Sequence, residues 1–546
     1  MDQPSVPPCA TSAGEAPVFS RRQFLRSSAA AAGIAAAGAS DCFDRPATNS
    51  VRRRPLHPGG GPRLAIIGCG EMGTAHWASI SRIDDPDQMP HIRCLADIDR
   101  TKCAQLAGAF QSDGHEAVEY RDLDTLLDEE AGNLDAVIIA TPDWIHHEQT
   151  IRCLRAGLHV YCEKPMSNRI ESAREMVKVA RETGRLLEIG FQRRSNPRYL
   201  ALRDEIVARH HGLGRLSHAY AQWHRGILGS QPLQVAEHPS KVAMARKAGY
   251  GSYFEMRNWR ILRKYGSGVM DCGAHQIDLI NYVFQAVPKR IVGLGGVDYW
   301  TADNPRGHYE MPDKVLAHFE YDIPPHLSPD GKPHSATASL ELLTTNGWQQ
   351  FFERFHGDQA TVEISEIPQR NRIAKEVATY TEVTEEEVKS LADFPKLADQ
   401  YEHRRFLRAH QQAWKKMLAE GLIYRVPSNS AARALKPWES SRIPKDPPPY
   451  LKTPYDLDEE RRGRRYLPID IEPSDDLSEY RLGQNITKPA HQYHLLNFLD
   501  AVRTGDRSRL RCPPEEGFRT CVTALKTLEA IETGRAIDLR PEDYVA

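Results

Sequence analysis

The chain has 546 residues, 40% hydrophobic and 26% charged, which is too long for one compact domain and too apolar for a disordered polymer. A formal net charge of −2 gives no basic bias toward nucleic acid or anionic lipid. The 22 histidines and 10 cysteines show neither His-x-x-Glu-His nor paired Cys-x-x-Cys spacing, so neither a metal site nor a disulfide framework is expected.

Ser20-Arg21-Arg22-Gln23-Phe24-Leu25-Arg26 precedes an Ala/Gly-rich stretch from Ala29 to Ala39. The run resembles a twin-arginine signal peptide, with Ala37-Gly38-Ala39 as a small-residue cleavage site. The expectation is a leader over 1–39, export to the periplasm, and an Arg/Pro/Gly-rich linker over 40–62. The apolar run is too short and too weakly hydrophobic to span a membrane. Asp41 makes a poor lipoprotein cleavage site before Cys42. The twin-arginine route carries folded proteins, which suits one that acquires a cofactor before leaving the cell.

Arg63 to Ile67 reads as a strand running into Gly68-Cys69-Gly70-Glu71-Met72-Gly73, with a helix to about Ile83. Alone, G-x-G-x-x-G is weak; between a strand and a helix it reads as a dinucleotide cradle. Gly68 permits the tight turn, Gly70 lets backbone N–H groups approach the pyrophosphate, and Gly73 lets helix and strand pack closely. The helix N-terminus, with Glu71 and Met72 in its first turn, faces the phosphates. A second strand, His91 to Ala96, ends at Asp97, where an acid binds ribose hydroxyls and disfavours a 2′-phosphate. NAD is therefore favoured over NADP, although the nearby Arg100 is a residue that can serve a phosphate. An ordinary turn or cap remains the alternative for Asp97. The strand–helix alternation continues through a helix over Asp122 to Asp128, a strand over Leu134 to Ala140, a break at Thr141-Pro142, a helix over His146 to Ala156 and a strand over His159 to Cys162.

Two runs are specific: Ala140-Thr141-Pro142-Asp143-Trp144-Ile145-His146, and Ala156-Gly157-Leu158-His159-Val160-Tyr161-Cys162-Glu163-Lys164-Pro165. They resemble the Gfo/Idh/MocA family, which comprises glucose–fructose oxidoreductase, inositol dehydrogenase and their relatives. The resemblance implies an α/β chain with a Rossmann domain over 63–190 and an α+β domain with a mostly antiparallel open sheet over 191–489. It further implies that Lys164 lies beside nicotinamide and substrate hydroxyl, and that Thr141, Pro142, His146 and Glu163 line the cofactor. The residue chemistry agrees: a cation at a strand's carboxyl end can orient a hydroxyl and stabilise negative charge developing on its oxygen.

Later strands are expected at Leu186 to Gly190, Gly214 to Trp223, Lys289 to Tyr299, Val315 to Tyr321, Ser335 to Leu343 and Trp348 to His356. Between them, a Gly266-Ser267-Gly268 turn enters an amphipathic helix that runs through Phe284. Asp271 and His275 are four residues apart and share a helix face, so a carboxylate that fixes an imidazole tautomer is expected. The run resembles the family's Asp-x-x-x-His pair, with His275 as proton acceptor. A capping Asp271 and a satisfied core His275 are the bland alternatives. Asp278, one turn on, is expected to stabilise the helix. Trp259-Arg260 either lines the cleft or packs inside.

A polar stretch, Arg225 to Tyr250, and a long charged, Pro-rich insertion over about 365–483, helical over Phe394 to Leu418, exceed a minimal family member. Helices near His494 to Val502 and Glu515 to Glu532, within a 490–546 tail, are expected to pack back on the Rossmann unit. The functional expectation is hydride transfer between a tightly bound nicotinamide cofactor and a carbinol carbon of a sugar, cyclitol or polyol, in a homo-oligomer joined through the second-domain sheet. Two alternatives stand beside it. One is a redox-neutral, NAD-dependent glycoside hydrolase, for which Tyr253 and His224 are weak candidates as an extra base. The other is a non-catalytic sugar- or cofactor-binding protein.

Overall fold

A computed structural model of the chain describes residues 61–85, 88–225, 233–268, 270–305, 307–367, 370–375, 412–425, 480–484 and 486–546. The expected leader, nearly all of the linker, and most of the 365–483 insertion lie outside the described residues.

Six short strands form the first sheet: β1 (Arg63–Ile67), β2 (His91–Ala96), β3 (Val118–Tyr120), β4 (Ala136–Ile139), β5 (His159–Cys162) and β6 (Leu187–Ile189). All pair in parallel, in the order β3-β2-β1-β4-β5-β6. This is the doubly wound order, whose reversal between β1 and β4 opens a crevice at the strands' carboxyl ends. The central strands are predominantly apolar because helices cover both faces; β4, Ala-Val-Ile-Ile, is apolar and buried at every position.

The crossover helices are α1 (Glu71–Ile80), α2 (Arg100–Ser112), α3 (Leu123–Glu130), α4 (Asp143–Arg155) and α5 (Ile170–Thr183). Two begin with side-chain caps: Asp99 accepts from Thr101 N–H, and Asp122 from Thr125 N–H. Helix α4 starts three residues before the expected His146, because Pro142 supplies the extended N-cap backbone and Asp143 enters the first turn.

The second sheet has ten described strands, ordered β14-β15-β13-β12-β11-β7-β10-β9-β8-β16. Its central members are β7 (Leu216–His224), β8 (Pro288–Gly296), β9 (Lys314–Ile323), β10 (His334–Leu343), β11 (Phe351–Gly357) and β12 (Ala360–Ile364). Pairing is antiparallel except between β7 and β10. Strand β11 starts later than expected, since Gln349 and Gln350 both take positive φ and form a turn. Strands β13 (Arg372–Lys375), β14 (Ile423–Arg425) and β15 (Tyr480–Leu482) extend one edge, and β16 (Ile537–Asp538) closes the other.

Alternation along β10 turns Ala336, Ala338, Leu340 and Leu342 to one face. That face receives α7 (Met270–Phe284), which is buried along its whole length. The polar stretch before it is not featureless: α6 (Pro239–Lys247) forms within it. The tail helices α8 (Ala490–Thr504) and α9 (Pro514–Thr533) pack on both units: α8 against α1, and α9 against α5, α7 and β8.

Candidate active site

The glycine loop occupies the carboxyl end of β1. Gly68 has φ +95°, and a Cβ there would meet the Ala140 carbonyl oxygen at 2.6 Å. A Cβ on Gly73 would strike the Gly68 carbonyl, so α1 packs on the loop only because residue 73 has no side chain. At Gly70 the added carbon would find only the Lys102 Nζ, at 3.9 Å. The loop therefore faces open space at the one glycine where a pyrophosphate needs access, and no side chain caps α1 there. Glu71 is exposed and Met72 half-buried in the first turn. These residues fit a dinucleotide.

Asp97 ends β2 facing the loop: its carboxylate accepts from the N–H of Cys69 at 2.8 Å and of Asp99 at 2.8 Å. Burial raises its pKa, against the lowering effect of these backbone bonds. Arg100, first residue of α2, is exposed nearby.

At the end of β4, Thr141 Oγ1 donates to Gln149 Oε1 at 2.6 Å. His146 sits between two carbonyl oxygens, Pro165 at 2.9 Å from Nδ1 and Thr141 at 2.8 Å from Nε2. Its ring thus braces the loops after β4 and β5, a role the sequence pattern did not separate from direct cofactor contact. Glu163 is buried, 2.8 Å from His76 Nε2. Burial disfavours its anion, but the hydrogen bond and charge of His76 prevail and bring the pKa to about 2.

Lys164 reaches across to α7, donating to Asp271 Oδ1 at 3.0 Å and to the Asp271 carbonyl at 2.9 Å. Arg260 Nε donates to the other carboxylate oxygen at 2.9 Å. Burial opposes ionisation of Asp271, yet the two cations outweigh it and hold the carboxyl well below the usual range. Here the structure departs from the expectation: Asp271 pairs with Lys164 and Arg260, not with His275. The shared helix face is real, but in the first turn of α7 the carboxylate meets the cation carried by β5.

His275 is buried, 5.6 Å from Trp223 in a stacked arrangement and 5.9 Å from Phe191 edge-on. Its Nδ1 has no hydrogen-bond partner. Burial first, then the positive charges of Lys164 and Arg193, holds its pKa well below the ordinary imidazole value. The ring is therefore a neutral base with unused hydrogen-bonding capacity, one turn beyond the Lys164–Asp271 pair.

Asp278 takes its partners from outside its own helix. Arg194 clamps it through Nε and Nη2 at 2.8–3.1 Å, and Thr520 Oγ1 donates to it at 2.9 Å, tying α7 and α9 to the chain after β6. Of the weak base candidates, His224 lies 3.2 Å from Glu341 at the end of β7, and Tyr253 sits under Lys241.

Sequence reasoning missed His76, Arg193 and His491. His491, on α8, has an unpartnered buried Nδ1 and lies edge-on to His76 with ring centroids 5.6 Å apart. Its proximity to Glu163 and Lys164 comes from a contact more than 300 residues long in sequence, which no local pattern announces.

Fold and cradle together define a dinucleotide-binding protein of the Rossmann class, with a sheet-built second domain reaching the carboxyl edge of the first sheet. Residues 62–191 match the model of the Gfo/Idh/MocA oxidoreductase family, NAD-binding Rossmann fold. The inositol 2-dehydrogenase of Rhizobium meliloti (strain 1021) is 32% identical over 144 residues, 26% of this chain and 40% of that protein. The 1,5-anhydro-D-fructose reductase of Ensifer adhaerens is 29% identical over 166 residues, 30% of this chain and 41% of that protein. The chain thus spans about two fifths of the length of these curated relatives. Among solved structures, the WlbA dehydrogenase from Chromobactrium violaceum, in complex with NADH and UDP-GlcNAcA, is similar in fold. Its TM-score is 0.52 at 16% identity, over 89% of this chain and 98% of that one.

Proposed function

We propose that the protein transfers hydride between a tightly bound nicotinamide cofactor and a carbinol carbon of a sugar, cyclitol or related polyol. The observation that carries this reading is the bond between Lys164 Nζ and Asp271, which brings an ammonium group from the carboxyl end of the first sheet to α7, within electrostatic reach of the His275 imidazole. Glycine loop, α1 N-terminus, Asp97 and the loops braced by His146 would hold the dinucleotide. When bound, its nicotinamide supplies the hydride acceptor or donor.

The chain's own residues do the rest. Lys164, kept charged by Asp271, orients the substrate hydroxyl and stabilises negative charge on its oxygen. His275, neutral because it is buried among positive charges, takes the hydroxyl proton; such assistance contributes on the order of 10²–10⁴-fold. Asp271 acts through Lys164 as a positioning residue. Trp223 stacks behind His275 and shields it from water.

The reading extends to three further points. The twin-arginine run supports export to the periplasm, with the cofactor loaded before transport and regenerated in place. Asp97 supports NAD over NADP. Leu294 and Leu316, paired across β8 and β9 and exposed (71% and 36%), support self-association through that sheet face.

The test is mass spectrometry of the dinucleotide that co-purifies with the full chain, followed by a polyol and sugar panel read at the reduced-nicotinamide absorbance band. A substrate-dependent change at that band, lost in Lys164→Ala, is the expected result. Release of an aglycone from an aryl glycoside with no net change in the band would favour the redox-neutral route instead. No dinucleotide and no response would overturn the proposal.

A further inference from the structure

Residues 233–258 leave the second domain, cross to the Rossmann domain and return. The ends of this excursion are clasped by one side chain: Asn258 Oδ1 accepts from Leu233 N–H at 2.6 Å, and its Nδ2 donates to the Leu233 carbonyl at 3.0 Å. Within it, Glu237 accepts from the N–H groups of Tyr253 and Phe254 at 3.1 and 2.6 Å, which closes the loop on itself. The result is a folded strap whose outer limb is α6.

Where the strap lands is informative. Lys241 Nζ lies 3.3 and 3.4 Å from the two carboxylate oxygens of Asp99, the N-cap of the helix after β2. Lys247 Nζ lies 3.4 Å from Asp122, the N-cap of the helix after β3. Between and just after the two lysines the strap is anchored by packing: Ala245, Tyr250, Leu262 and Tyr265 form a small cluster, and Trp144 Nε1 donates to Tyr250 Oη at 2.8 Å. The strap is thus held by an aromatic contact on α4 and by two ion pairs at the carboxyl ends of β2 and β3. In a doubly wound sheet those two strand ends flank the adenosine half of a dinucleotide.

We propose that this strap is part of the dinucleotide site: Lys241 and Lys247 clamp it over the adenosine end, and opening of these two ion pairs sets the rate at which the cofactor leaves. The inference rests on the functional reading above. The aromatic contact serves as the pivot, because it joins an uncharged hydrogen bond to apolar packing and is insensitive to salt. The two lysine pairs are the part that opens, because they are partly exposed and screened by ions. The strap explains chemically how an exported oxidoreductase would keep its cofactor where no free pool replaces it.

The experiment measures NADH release from the full chain by loss of nicotinamide fluorescence on dilution into excess unlabelled NAD, for the wild type and for Lys241→Ala, Lys247→Ala and the double variant. Two partly exposed pairs together support about a tenfold faster release in the double variant. Release from the wild type should also accelerate between low and high salt, and release from the double variant should not. Hydrogen exchange over 239–247 should slow when NADH is added to the wild type. Release rates within twofold of wild type, with no change in exchange, overturn the strap while leaving the cofactor reading intact. A wild-type chain that binds no NADH at all overturns both.

Discussion

Asp271→Asn separates the geometry observed from the pairing its spacing suggests. The carboxylate takes two charge-assisted hydrogen bonds, from Lys164 at 3.0 Å and Arg260 at 2.9 Å. Each such bond is worth about 1.5–3 kcal/mol when shielded. Lys164 is shielded, with a side chain 15% exposed, but Arg260 is 51% exposed, and solvent reduces its share to about 1 kcal/mol or less. The asparagine amide can still accept one bond, so the expected loss is about 2–3 kcal/mol at neutral pH.

The pH dependence follows from both partners. The folded pKa of Asp271 is depressed, so its stabilisation is present above the unfolded value of about 3.9 and is lost as pH falls toward the folded one. Lys164 is raised, so its stabilisation is present below about 10.4 and is lost as pH rises through the folded value. The gap between wild type and variant should therefore be level from about pH 5 to 9 and shrink below about pH 3. Urea denaturation of both proteins across that range measures it. Equal stability at pH 7, together with a shifted His275 resonance titration, would refute the reasoning and restore Asp271 as the partner of His275.

Gly70→Ala should fold with stability within about 1 kcal/mol of wild type, since its Cβ meets open space, yet bind NADH at least tenfold more weakly by fluorescence titration. Gly73→Ala should instead lower the denaturation midpoint, because its Cβ collides with the Gly68 carbonyl; equal behaviour of the two variants would contradict the cradle geometry. His275→Gln should cost about 10²–10⁴ in kcat with little change in melting temperature. Because burial and the nearby positive charges lower the His275 pKa, the wild-type rate should stay level through the ordinary histidine range near about pH 6.5 rather than fall there as pH drops. Arg194→Met removes the cation that clamps buried Asp278 and leaves it the Thr520 hydroxyl, so chemical denaturation should register a loss of about 3–5 kcal/mol.

Local chemistry was legible from the chain alone. The strand before Gly68, the spacing of the three glycines and the all-apolar run of β4 follow from short-range sterics and from burial on both faces. Any fold that honoured them would place Gly70 at a helix N-terminus and Lys164 at a strand end. Residues 233–250, part of the stretch from Arg225 to Tyr250 that was legible only as polar, owe their order to contacts with Trp144, Asp99 and Asp122 that lie more than 100 positions away. The same holds for the charges. A four-residue helical spacing says which way Asp271 points, but electrostatics inside a protein are decided by what stands opposite, and only tertiary packing brought Lys164 to Asp271, Arg194 to Asp278 and the α8 histidine toward Glu163. Sequence determined which groups this protein has to work with; the meeting of β5, α7 and α8 decided which of them are partners.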